Sequence, residues 1–139
     1  MTGFQGAASK QGRHFAEQCD SLLIRKGFVL HDKVQLDGIG VEIDREAVSA
    51  SGRVVWFEYK GSVAGHRPGL KRTDTLKKAI ANGALLKRLQ DHPPYLILTS
   101  HLPETGAGFA MLDAARALDY FDDVICIYDT SQTPRLDQL

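Results

Sequence analysis

Residues 41–60 constrain the fold of this chain more than any other stretch. Two strand-like runs, 41–48 and 53–60, flank Ala50-Ser51-Gly52. That spacing fits a three-residue hairpin with Gly52 in the left-handed conformation such a turn needs. The second run, VVWFEYK, is apolar and aromatic until Glu58 and Lys60 appear two positions apart. Strand side chains alternate with period two, so these two charges share a face. If Ser49 faces Arg53, then Asp44 lies opposite Glu58, and Glu42 opposite Lys60, all on that face. The same register sends Arg45 to the other face with Val55 and Phe57, with no partner for its charge evident in the sequence.

Two facing carboxylates beside a lysine suit a hard divalent cation and a phosphate. Asp44 and Glu58 can hold Mg²⁺ (or Mn²⁺ in its place) and leave positions for water and a phosphate oxygen. A cation there acidifies water and neutralises charge developing at phosphorus. Lys60 can orient or deprotonate the attacking water and stabilise the transition state. The plainer readings are a strand-end salt bridge between Glu58 and Lys60, and a solvated Asp44 paired with Arg45 or Arg53. The apolar run before Glu58 is wrong for an edge strand, which weighs against the first of these.

The rest of the chain supplies a frame for that hairpin. Residues 1–8 are small and polar and are expected to be disordered. Residues 9–26 carry Phe15, Cys19, Leu22 and Leu23 at helical spacing, and Gly27 stops the run as a helix C-cap does. Residues 28–36 suit a first strand, closed by the turn signal Asp37-Gly38. After a Gly/Pro-containing loop over 61–70, Thr73 or Asp74 can cap a helix running to about residue 90, with Leu76, Ile80, Gly83 and Leu86 inward. Pro93-Pro94 precedes a short buried strand at 95–99. A third helix at 106–120 and a last strand at 124–128 follow. The order αβββαβαβ predicts a single α/β domain over 1–139, with a mixed sheet flanked by helices.

This order and its charged residues resemble the PD-(D/E)XK, or restriction-endonuclease-like, nuclease superfamily. The closest likeness is to small Holliday-junction-resolvase-type members. It rests on Gly12-Arg13-His14-Phe15-Ala16-Glu17, Gly27-Phe28, Glu42-Ile43-Asp44 and Glu58-Tyr59-Lys60, though Ile43 stands where that pattern has Pro. The resemblance implies Asp44 and Glu58 as metal ligands, the Tyr59 carbonyl as a third, and Lys60 as the catalytic lysine. It also implies that Glu17, on the first helix, reaches the metal.

Charge distribution bears on the partner. The 17 basic and 17 acidic side chains balance, which excludes a general nucleic-acid coat. Yet residues 60–90 hold eight Lys and Arg against the single acid Asp74, a local anion-binding segment. Arg67, Lys71, Arg72 and Lys77 are the candidate DNA contacts. Lys71 and Arg72 are favoured because they sit at a helix N-terminus, whereas Lys77 also fits a solvated helix face. No apolar run approaches the ~20 residues of a membrane span, and the first residues lack a signal peptide's apolar centre, so a cytoplasmic protein is expected. Cys19 and Cys126 read as reduced thiols. The expectation is a Mg²⁺-dependent DNA endonuclease acting as a homodimer, with branched or junction DNA among its possible substrates. The rival is a non-catalytic subunit of this fold that binds nucleic acid or a partner protein, as targeting in a transposition or restriction system would require.

Overall fold

The computed structural model describes residues 3–62 and 69–139, with side chains described from Arg13 onward. A long helix, α1 (Gly3–Arg25), leads into β1 (Val29–Leu30), β2 (Val34–Leu36), β3 (Val41–Ile43), β4 (Arg45–Val48) and β5 (Val54–Lys60). Then come α2 (Thr73–Leu86), β6 (Tyr95–Thr99), α3 (Gly106–Ala117) and β7 (Asp123–Cys126). The helix begins at Gly3 rather than at residue 9. Ala7 and Ala8 are strong helix formers and extend it toward the N-terminus. At its other end Gly27 has φ 89°, Phe28 N–H donates to Leu23 O (3.0 Å) and Gly27 N–H to Ile24 O (3.0 Å). This Schellman pattern is what the sequence signal implied.

The main sheet has the order β1-β4-β5-β6-β7, antiparallel on the β1 side and parallel from β5 to β7. It is a mixed sheet flanked by helices. On one side α1 packs Phe15, Cys19, Leu22 and Leu23 against Ala47, Val55, Phe57, Leu96 and Leu98. On the other, α2 and α3 pack Leu76, Ala79, Leu86, Leu112 and Ala115 against Trp56, Tyr95, Ile97 and Val124. Alternation along β5 explains the split: Val55 and Phe57 point to α1, while Trp56 and Glu58 point to α2.

The expected hairpin register holds. Arg45 pairs with Phe57 and Val48 with Val54, Ser49 N–H donates to Arg53 O (2.8 Å), and Gly52 takes φ 91°. The two strands expected at 28–36 and 41–48 are, however, each broken. β2 and β3 form a separate two-stranded sheet, and Asp44 stands at a bend between β3 and β4. Strict alternation would place Ile43 with Arg45 and Ala47 on the α1 side. The bend reverses this, and Val41 and Ile43 are buried in the α2–α3 cluster. Burial of these two aliphatic side chains is what favours the bend. Glu42 is consequently not opposite Lys60; it pairs with Gln35 across β2–β3, and its carboxylate meets Lys33 at 3.1 Å.

The helices at 73–90 and 106–120 end early, at Leu86 and Ala117. Neither Thr73 nor Asp74 caps α2. Arg72 is the N-cap, without a side-chain cap bond. Beyond the sheet's β7 edge lies a 3₁₀ segment, Thr133–Gln138. Arg135 donates to the Val124 carbonyl (2.9 Å), and Cys126 N–H donates to Gln132 Oε1 (2.9 Å). Arg135 is anchored in turn by both Asp123 oxygens, at 2.8 and 3.1 Å. Among the described residues no helix is long and apolar enough to cross a membrane. Cys19 and Cys126 are both free thiols.

Candidate active site

The bend at residue 44 frees Asp44 from the ladder and turns its side chain back onto β5. Its Oδ2 accepts the Tyr59 N–H at 2.8 Å. Asp44 itself is exposed, whereas Glu58 is 1% exposed. Glu58 Oε2 accepts from Asn82 Nδ2 of α2 (2.6 Å) and from the Tyr95 hydroxyl (3.2 Å). Burial pushes the Glu58 carboxyl up to about 8, and the adjacent Asp44 carboxylate adds to the rise. Lys60 and Asn82 pull the other way but do not offset it. Asp44, Glu58 and Lys60 therefore interact electrostatically. The Tyr95 hydroxyl is raised by burial and then by Glu58, so it stays a proton donor to that carboxylate.

The opposite face of β5 carries a second charged group. Arg45 sits on the α1 side, as the register required, and its partner is Asp20. Arg45 Nε and a terminal nitrogen meet the two Asp20 oxygens at 3.1 and 2.6 Å, and its other nitrogen donates to His31 O (2.8 Å). The Tyr59 hydroxyl also donates to Asp20, at 2.6 Å. Burial works against the Arg45 charge, yet the bonds to Asp20 and Tyr59 leave its pKa raised. A depression of about 320 Å³, lined by Phe15, Ala16, Asp44, Arg45, Tyr59 and Gly61, opens beside this group.

Glu17 is not brought to either cluster. It is exposed, lies 3.9 Å from His14, and lines a different cleft of about 470 Å³ with Gln18, Arg25 and Tyr128. The reason is helical geometry. Phe15 and Cys19 face the sheet, and a residue two positions from each points the other way. Asp20, next to Cys19 and three before Leu23, lies at the margin of the buried stripe and reaches the sheet. Among the described residues no group of three or more His, Cys, Asp and Glu side chains is close enough to hold a metal ion. Two carboxylates are what this site offers.

The basic candidates divide. Lys71 ends a 3₁₀ turn, Gly69–Lys71, which is tied to the end of β6 by Leu70 N–H to His101 O (3.1 Å). Since Lys60 pairs with Thr99, Lys71 and Arg72 lie at the same end of the parallel strands as Lys60. Both are exposed, and Arg72 pairs with Asp74 at 3.4 Å. Lys77 is exposed on α2. Arg67 lies outside the described residues.

Sequence reasoning missed Asn82, Tyr95 and Asp20. Asn82 had a readable signal: a polar residue three after Ala79, flanking the inner stripe of α2. Tyr95 had none, because its reach to Glu58 depends on the parallel β5–β6 register. Compared with family models, with curated proteins and with solved structures, the chain has no significant match, so its geometry stands alone.

Proposed function

We propose that the chain is a divalent-metal-dependent DNA endonuclease of the restriction-endonuclease-like fold. The observation that carries this reading is the juxtaposition of Asp44 and Glu58 next to Lys60, with the Glu58 pKa raised first by its burial and then by its neighbour. Two acids pressed together at the end of a core strand are destabilising unless a proton or a cation lies between them. Hard oxygen donors, one exposed and one held by Asn82 and Tyr95, suit Mg²⁺ or Mn²⁺. Asp44, Glu58 and the Tyr59 carbonyl would hold it, with water completing the shell.

A bound divalent cation would supply Lewis-acid stabilisation of the phosphodiester. The chain's own groups do the remainder. Asn82 and Tyr95 fix the Glu58 carboxylate, and Tyr59 N–H fixes that of Asp44. Lys60 places an ammonium where negative charge develops. Lys71 and Arg72, at the same sheet end, contact the phosphate backbone. A homodimer would bring two such sites to a duplex or junction.

The test is cleavage of labelled linear, nicked, single-stranded and four-way-junction DNA with Mg²⁺, Mn²⁺ or EDTA. Asp44→Asn and Glu58→Gln should each abolish cutting with the fold intact, and Lys60→Ala should slow it by about 10²-fold with binding retained. With Ca²⁺ supporting binding alone, Lys71→Ala and Arg72→Ala should each lower the log–log salt slope by about 0.9 on duplex DNA. A wild-type protein that binds DNA yet cuts none of the four would instead support the binding-subunit reading.

A further inference from the structure

Resting on the reading above, we infer that Asp20, Arg45 and Tyr59 act as a positioning lock, which holds the backbone after the bend so that Asp44 stays aimed at Glu58, and so tunes the metal affinity of the site. Arg45 directly follows Asp44, and its guanidinium is held at three points: both oxygens of Asp20 (3.1 and 2.6 Å) and the carbonyl of His31 (2.8 Å). These points belong to α1 and to the connection between β1 and β2. The backbone just after Asp44 is therefore tethered to two separate elements. Tyr59 completes the link. Its hydroxyl binds Asp20 (2.6 Å), while its own N–H binds Asp44 (2.8 Å). One residue thus connects Asp20 of α1 to the Asp44 carboxylate.

The arrangement is stiff for a physical reason. A planar guanidinium meeting a carboxylate through two bonds fixes orientation as well as distance, which a single ammonium contact does not. Asp20 and Arg45 side chains are each 25% exposed, so their bonds face less competition from water than a surface pair's. Asp44, in contrast, is exposed. Without the tether its side chain has solvent-facing alternatives to the Tyr59 amide.

The experiment follows the Tyr59 amide in ¹⁵N-labelled, metal-free protein, with Mn²⁺ titration as a second arm. A proton donated to a carboxylate resonates downfield, so Asp44→Asn calibrates the signal. Arg45→Lys keeps the charge but loses the two-pronged bond; Tyr59→Phe removes one hydroxyl and leaves the amide in place. In both, the amide should move upfield, further in Arg45→Lys. Mn²⁺ affinity should fall by about 10-fold or more in Arg45→Lys, the usual cost of losing a group that orients a ligand. Should Arg45→Lys fail to fold, Tyr59→Phe decides the matter. An unmoved amide and unchanged Mn²⁺ affinity in folded variants, with only the melting temperature lowered, overturns the inference. If the amide moves but the wild type binds no Mn²⁺, the lock stands and the metal-site reading falls.

Discussion

The two faces of β5 handle an acid withdrawn from solvent in opposite ways. On the α1 side, Asp20 is balanced by Arg45 and a tyrosine hydroxyl, and each partner is satisfied. On the α2 side, Glu58 receives two neutral donors and a second carboxylate, and its pKa rises. The first arrangement holds elements together. The second stores electrostatic repulsion at one point of an otherwise apolar core. A protein selected for stability alone would gain little from the second, which is why that face carries the functional proposal.

The sharpest way to break this contrast is by pH. Glu58 has a folded-state value near 8 against an ordinary 4.5. Its contribution to stability is thus fully present below about 4.5 and is lost as pH rises through about 8. Between those values metal-free stability should fall by about 1.4 kcal/mol per pH unit where Glu58 titrates. Glu58→Gln should flatten that slope and unfold at higher urea than wild type at pH 8. Parallel urea profiles for the two proteins would remove the distinction between the faces. Mg²⁺ at pH 8 should stabilise the wild type and leave Glu58→Gln unmoved.

On the balanced face the sign reverses. Arg45→Ala leaves the half-buried Asp20 with the Tyr59 hydroxyl but no counter-charge and should cost about 2–3 kcal/mol in denaturant unfolding. Smaller effects belong to the neutral donors. Asn82→Ala and Tyr95→Phe should each cost about 1 kcal/mol. Because Asn82 lowers the Glu58 pKa, Asn82→Ala should also push it higher, as ¹³C NMR of the carboxyl would report. The smallest effect is at Glu17. Its exposed side chain predicts a change within about 0.5 kcal/mol on Glu17→Ala, and cleavage equal to wild type. A large loss of cleavage would restore a role for the first-helix glutamate.

The hairpin register was legible because a three-residue turn with Gly52 leaves few ways to pair 41–48 with 53–60. From it followed the meeting of Asp44 with Glu58 and the placing of Arg45 on the α1 side. The break at Asp44 was not legible. It depends on Val41 and Ile43 finding a buried surface on α2 and α3, elements more than twenty residues away in the chain. For the same reason Glu42 is not opposite Lys60 as the unbroken register implied, since its partner Lys33 becomes available only after the break. Glu17 is a different case, since the structure sets it in another cleft. The spacing of Phe15, Cys19, Leu22 and Leu23 already turned it outward and admitted Asp20. The motif likeness favoured one residue, and the helix period favoured another.

The sealed edge at β7 has a consequence for assembly. A sheet whose last strand offers open amides and carbonyls can recruit a strand from a second copy, and repetition of that step leads to fibres. Here Arg135 and Gln132 occupy a carbonyl and an amide of that strand, and the opposite edge, β1, spans two residues. Neither border is a good template for strand addition. A second copy would therefore not extend this sheet at either border.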